Sequence, residues 1–294
     1  MINKVRSMFL ILFGALTLIF STTFSFPVQA ESIHTMKTCD GNTATIIGTA
    51  GDDMIVGTSG NDVILGLDGN DTISGLEGND IICGGNGNDT IYGETENATS
   101  LFLGGNDRIF GGNGNDLIIG DFYLLDSAIA VGATSGTDYI SGGSGDDIIT
   151  GGVIKFNIST VVTDLGSAND IIDGDEGNDI IYGWTKEYNA EILTTLIGDG
   201  NTTINSGTGD DIIYGDLETL TGTIITINAL RDTINGGDGN DTIYGDFKNG
   251  NENIIPLFNA NRDIINGGSG NDNGDAGPGN DTCTNTETVV SCEF

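Results

Sequence analysis

Basic residues are scarce: nine lysines and arginines stand against 43 aspartates and glutamates in 294 residues, a formal charge of −34. So negative a surface repels nucleic-acid phosphates and anionic lipid, so nucleic acid is not expected as a partner, and it attracts cations. Histidine occurs once, as His34. Zinc sites built on histidine pairs are thereby excluded, and any serine–histidine or cysteine–histidine catalytic arrangement would need that one residue. Neither HExxH nor GxSxG is present. Aromatics make up only 7% of the chain and tryptophan occurs once, which argues for narrow, regular structure over a wide packed core. Cysteine is limited to Cys39, Cys83, Cys283 and Cys292, with no CxxC pair to hold zinc.

Near the start, Lys4 and Arg6 precede the apolar run MFLILFGALTLIF (Met8 to Phe20), which STTFSFPVQA follows. The run is short for a membrane span, and Val28 and Ala30 hold the small-residue positions of a cleavage site. Residues 1–30 are expected to be a secretory signal; an uncleaved anchor is the other reading. Export implies a secreted protein, extracellular or at the cell surface, with no membrane span in the mature chain. An even number of cysteines outside the cell favours disulfides.

Glycine is abundant, with 48 residues, and it recurs in a pattern. The stretch Gly84 to Tyr92, GGNGNDTIY, has near-copies such as GLDGNDTIS, GDEGNDIIY and GGDGNDTIY. Twelve units start at positions 48, 57, 66, 75, 84, 111, 142, 174, 206, 236, 267 and 276, with glycine fourth and aspartate sixth in all of them. Isoleucine is eighth in ten; Gly274 and Cys283 are the exceptions. Such periodicity marks a repeat architecture. Glycine permits positive φ and close approach of backbone, so the first six residues predict a turn. The last three, such as Thr-Ile-Tyr, are β-prone, with the eighth side chain facing a core. A three-residue strand cannot stand alone, so two units make one 18-residue coil with a turn at each edge, and coils stack on one another.

GGNGNDTIY matches the pattern GGxGxDxUx, with U apolar, at every fixed position, and the chain from about Gly48 to Thr284 resembles the hemolysin-type calcium-binding repeats of the repeats-in-toxin (RTX) family. The resemblance implies a parallel β-roll in which each Ca2+ sits between turns of units two apart, held by sixth-position carboxylates and main-chain carbonyls. Secreted proteases, lipases and epimerases of that family carry a separate catalytic domain beside the repeats. Here the sequence beyond residue 30 is nearly all repeat, so an enzyme is not expected.

Later aspartates follow a second period: Asp116, Asp147, Asp179, Asp211, Asp241 and Asp272 lie 31, 32, 32, 30 and 31 residues apart. Enlarged turns open at Gly93, Gly120, Gly151, Gly183, Gly215 and Gly245, all on even-numbered units, so every insert emerges from one edge. Three inserts begin alike, GDFYLL, GDLETL and GDFKNG, and the segments SAIAV, ISTVV and TIITI are β-prone. This predicts an extra lateral sheet or a ladder of hairpins, with plain loops as the other reading. Gly93 to Phe110 reads either as a shorter insert or as two degraded units. The aromatics Phe122, Tyr123, Trp184, Tyr188, Phe247 and Phe258 fall in the inserts, as a small core of their own or as an exposed ladder for glycans.

On the plain edge Asp53, Asp71, Asp89, Asp116, Asp147, Asp179, Asp211, Asp241 and Asp272 are expected to form one file, about 4.8 Å from coil to coil. Two carboxylates at about 5 Å repel by roughly 3 kcal/mol at an effective dielectric near 20, which is large beside a domain's net stability when repeated. Calcium, with its preference for six to eight oxygens in flexible geometry, relieves this. Eight gaps give up to about eight ions. Asp62 and Asp80 make a short file on the other edge and complete the expected metal set. Asp107, Asp138, Asp170, Asp232 and Asp263 close the insert-bearing turns, but the residues before them lose the glycine pattern and Thr202 replaces aspartate in one. They are left out of the set.

Cys283 is eighth in its unit and Cys292 lies nine residues on, in the degraded unit NTETVVSCE, so in a roll both point into the core and are expected to bond. Cys39 and Cys83 then pair by elimination. The expected organisation is a signal (1–30), an N-terminal cap (31–47), a regular roll (48–92), a roll with lateral inserts (93–275) and a disulfide cap (276–294). The expected fold is all-β, a parallel β-roll or β-solenoid of nonapeptide repeats with stacked β-rich inserts on one edge. The expected function is non-enzymatic: a secreted protein that folds on binding Ca2+ and has a structural or adhesive role at the cell surface or in the extracellular matrix, with cell-surface glycans or envelope proteins as partners. The alternatives are a polysaccharide lyase- or epimerase-like enzyme using the insert face, and a calcium buffer.

Overall fold

The computed structural model describes residues 37–98, 104–131, 136–163, 168–193, 196–197, 200–224, 226–228, 231–250, 257–258, 262–277 and 281–292. The expected signal segment and His34 lie outside them. Among the described residues every regular element is a strand, and none is a helix long and apolar enough to cross a membrane. Odd-numbered units contribute strands to one ten-stranded sheet, from Met54–Val56 to Thr288–Val289; even-numbered units and the cap supply a second, from Ile46–Ile47 to Thr282–Thr284. Because the chain alternates between them, neighbours within a sheet belong to successive coils and pair in parallel. Ile82 aligns with Ile109 and then Ile140, and Ile91 with Ile118 and then Ile149. This is the parallel β-roll.

Eighth-position isoleucines explain the strands. Residues from Ile64 through Ile149 to Ile243 are completely buried between the sheets. A fully buried isoleucine is worth about 1.5–3 kcal/mol, so each coil is held chiefly by its two core side chains. Glycine is required where coils approach. Gly112 and Gly114 have φ of 117° and 127°, and a Cβ on either would run into the carbonyl of Gly85 or Gly87 on the coil before.

The inserts form ordered ladders on one edge. Asn97–Ala98, Leu124–Val131, Val153–Thr163, Thr185–Leu193, Leu217–Ile224 and Phe247–Gly250 make a six-stranded parallel sheet. A smaller sheet of Leu196–Ile197, Thr226–Asn228 and Leu257–Phe258 lies further along the same segments. Asn97 and Ala98 pair with Leu124 and Leu125, so the first enlarged turn is a short insert and not two degraded units. Tyr92 and Ile119 pack against Ile154 of an insert strand, while Tyr182, Tyr214 and Tyr244 stack at 5.1 Å between ring centres. Trp184 and Phe122 are buried, as the insert-core reading requires, and Tyr123 is exposed. The side chains of Tyr188, Phe247 and Phe258 lie outside the described residues.

Both disulfides form. Cys39–Cys83, with Cα atoms 5.8 Å apart, ties the N-terminal hairpin to the even-unit sheet, beside an Arg108–Asp40 ion pair at 2.8 Å. Cys283–Cys292 closes the last coil with Cα atoms 5.9 Å apart. The phase of that coil differs from expectation. Val289, not Cys292, pairs with Gly274. No aspartate is available in this turn, and the longer side chain of Glu287 replaces it by accepting the Asp272 N–H at 2.7 Å, which lets the turn close in fewer residues.

Candidate metal centre

Each sixth-position carboxylate reaches back one coil. On the plain edge the N–H groups of Asp53, Asp71, Asp89, Asp116, Asp147, Asp179, Asp211 and Asp241 donate to Oδ1 of the next aspartate in the file at 2.7–3.0 Å, ending at Asp272. Fifth-position residues run a second ladder in the opposite sense. Asn88 N–H donates to Oδ1 of Asn70 on the coil before, and Asn115 N–H to Oδ1 of Asn88. Every turn is thus clamped to both neighbours, which explains an asparagine or aspartate at the fifth position, a regularity the sequence reading did not use.

The second carboxylate oxygen is the chemically informative one. Oδ2 of Asp71, Asp89, Asp116, Asp147, Asp179, Asp241 and Asp272 is buried and receives no hydrogen bond. It lies against the first glycine of its own unit and near the carbonyl of the next coil: a Cβ on Gly66 would strike both Asp71 Oδ2 and the Gly84 oxygen. Acceptor faces acceptor there, and no lysine or arginine is buried among the described residues. A cation satisfies both oxygens at once. No three acidic, imidazole or thiol side chains among the described residues converge on one point, so an ion would be held by one or two carboxylates with main-chain carbonyls. That all-oxygen set fits calcium.

The first coil differs. Oδ2 of Asp53 accepts from the N–H and hydroxyl of Thr49 at 2.5 and 2.9 Å, and Oδ2 of Asp62 from those of Thr58 at 2.7 and 2.8 Å. The insert edge differs in the other direction. Asp62, Asp80, Asp107 and Asp138 donate successively along a file ending at Asp170, at 2.8 Å each, and Thr202, Asp232 and Asp263 do so toward Asp281 at 2.9–3.0 Å. Residues left out of the expected set therefore occupy the same geometry as those included. Oδ2 of Asp80, Asp107, Asp138 and Asp170 is likewise buried without a donor. Their recurring spacing was the available signal; the lost glycines before them proved unnecessary.

Burial dominates the electrostatics. Loss of solvent pushes Asp116, Asp179 and Asp241 up to about 7 and Asp147 to about 6, with neighbouring carboxylates adding to the rise. On the insert edge the same cause lifts Asp80 to about 6 and Asp107, Asp170 and Asp263 to about 7. A site so hostile to bare carboxylates is occupied by protons or by metal.

The family model described as RTX calcium-binding nonapeptide repeat (4 copies) matches residues 47–82, 65–97, 103–122, 133–153, 165–185, 197–217, 228–247 and 259–283, more than half of the chain. The chain belongs to this RTX family. It is a calcium-binding β-roll, and the matched segments contain most strands of the two roll sheets while omitting the middle of the later inserts. No curated protein matches the chain.

Proposed function

We propose that this RTX roll is an exported structural or adhesive element, at the cell surface or in the extracellular matrix, and that calcium converts it from a charge-repelled chain into a stacked solenoid. The observation that carries the reading is the file of buried carboxylates from Asp71 to Asp272 whose Oδ2 atoms have no donor. Asp71, Asp89, Asp116, Asp147, Asp179, Asp211, Asp241 and Asp272 are the bridging ligands on the plain edge, with up to about seven ions in the gaps between them, and Asp80 serves on the other edge. Asp53 and Asp62, engaged by threonines, close the first coil. Export is supported by the basic–apolar–small pattern of residues 1–30 and by two disulfides, which persist in oxidising compartments. Extracellular modules bind calcium at roughly 0.1–1 mM, which suits a chain that stays loose before export and folds outside. The insert ladder is the surface such a protein would offer to cell-surface glycans or envelope proteins. Circular dichroism of the secreted chain during a calcium titration tests the reading: a cooperative gain of β signal in that concentration range is expected, and a signal indifferent to calcium would refute it.

A further inference from the structure

At the foot of each insert the second residue of the enlarged turn stands in a column of its own. Main-chain N–H groups link Leu76 to Glu94, Glu94 to Asp121, Asp121 to Gly152, Gly152 to Trp184, Trp184 to Asp216 and Asp216 to Asp246, at 3.0–3.3 Å. Acids occupy this column in two adjacent-coil pairs, Glu94 with Asp121 and Asp216 with Asp246. All four are buried, at 0–4% exposure. Oε2 of Glu94, Oδ2 of Asp121, Oδ1 of Asp216 and Oδ1 of Asp246 lie inside the protein with no main-chain or basic donor, and the carboxyls of Glu94 and Asp121 lie within hydrogen-bonding reach of each other.

Charge repulsion couples Glu94 to Asp121, Asp107 and Asp138, and Asp216 to Asp232, Asp246 and Asp263. The other oxygen of each acid in the first pair holds the returning end of its own insert, Glu94 Oε1 accepting from Gly105 N–H and Asp121 Oδ1 from Gly136 N–H at 3.1 Å. Where the column lacks acids, its filling changes. The indole of Trp184 covers Gly152, where a Cβ would meet Cδ1 at 3.1 Å, and the insert that Trp184 opens is the one that ends in Thr202 instead of aspartate. Root acid and turn acid are both absent on that coil, whereas the coils of Leu76 and Gly152 lack the root acid and keep Asp80 and Asp170.

We propose that the Glu94–Asp121 and Asp216–Asp246 pairs are two further calcium sites, separate from the sixth-position files, in which two carboxylates and main-chain oxygens hold a hard divalent cation that locks the insert ladder onto the roll. Two carboxylates on neighbouring coils, shielded from water and each with an oxygen that has no main-chain or basic donor, match the hard-oxygen requirement of calcium. The inference rests on the calcium-dependent reading of the roll, and the test separates the two. The secreted chain, Glu94→Gln/Asp121→Asn and Asp216→Asn/Asp246→Asn are compared by equilibrium dialysis against calcium. The amides keep the main-chain acceptors and remove charge repulsion, so the folds persist by circular dichroism. Each double variant is expected to lose about one bound ion. Terbium emission excited through Trp184, the single tryptophan, is expected to fall in the Asp216→Asn/Asp246→Asn chain, whose altered pair adjoins it. Variants that bind as many ions as the parent would overturn the proposal, showing that each pair shares a proton. A parent chain that binds no calcium would instead overturn the underlying reading.

Discussion

At the scale of single residues, the same repeat position carries different constraints depending on which coil precedes it. Gly87 has φ of 131° and packs against the Gly69 carbonyl, whereas Gly60, fourth in an earlier unit, has nothing within 4 Å of a built Cβ. Gly87→Ala is expected to cost at least about 2 kcal/mol and Gly60→Ala to stay within about 0.5 kcal/mol, by denaturant melts in calcium. Asp179→Asn separates charge from hydrogen bonding. Its Oδ1 still accepts the Asp147 N–H, while a buried anion with neighbours at Asp147 and Asp211 disappears. In chelator at about pH 6, where the metal-free fold persists, the variant should melt higher than the parent; with calcium it should melt lower and require more ion. The carboxyl pKa values also fix a pH dependence. Asp116, Asp179 and Asp241 lie near 7 in the fold, raised above the ordinary 3.8, so their contribution to metal-free stability is complete below about pH 4 and is lost as pH rises through 7. One carboxyl moved from 3.8 to about 7 represents at most about 4 kcal/mol, reduced by the solvent screening that reaches the turn edge. In chelator the melting temperature should therefore fall steadily from pH 4.5 until the transition is lost as pH rises through about 7, and in calcium the slope should reverse.

At the scale of strands and turns, much was legible because the eighth-position isoleucine fixes both the period and the face that is buried. Ile82, Ile109 and Ile140 align despite 27- and 31-residue spacings, since an insert on one edge leaves the core register untouched. What escaped the sequence depends on neighbours in the stack. Asp107 and Asp138 look isolated along the chain, yet their burial comes from coils above and below. Asp121 and Asp216 were visible as the second residue of GDFYLL and GDLETL, but only the column of insert roots shows them enclosed. The last coil misled for a local reason: Glu287 does the work of an aspartate from a shorter turn, so counting nine residues to Cys292 missed the strand at Val289. The bonds at the two ends should differ in worth. Cys39–Cys83 spans 44 residues and Cys283–Cys292 spans nine, so loop-closure entropy predicts losses of about 4 and about 3 kcal/mol on replacement by serine. Hydrogen exchange should show the first loss fraying residues 37–43 while the central coils stay protected.

At the scale of the whole molecule, the roll is a one-dimensional stack in which each coil touches only its neighbours, so stability is a sum of coil and interface contributions. The isoleucine files supply the attraction and the aspartate files the opposition, with a formal charge of −34 over the chain adding to it. Calcium acts at the interfaces between coils, which couples binding to stacking and makes folding steep in ion concentration. The insert ladder is built on this stack, and Trp184 with Gly152 divides the acids at its foot into two groups. The most direct measurement is far-ultraviolet circular dichroism with a thermal melt of the secreted chain at pH 7.5 and low ionic strength, after exhaustive chelation with EDTA. The account predicts loss of the β signal and of the cooperative transition, both restored by millimolar calcium and not by sodium at equal ionic strength. A chelated chain that keeps the same spectrum and the same sharp melt would contradict it.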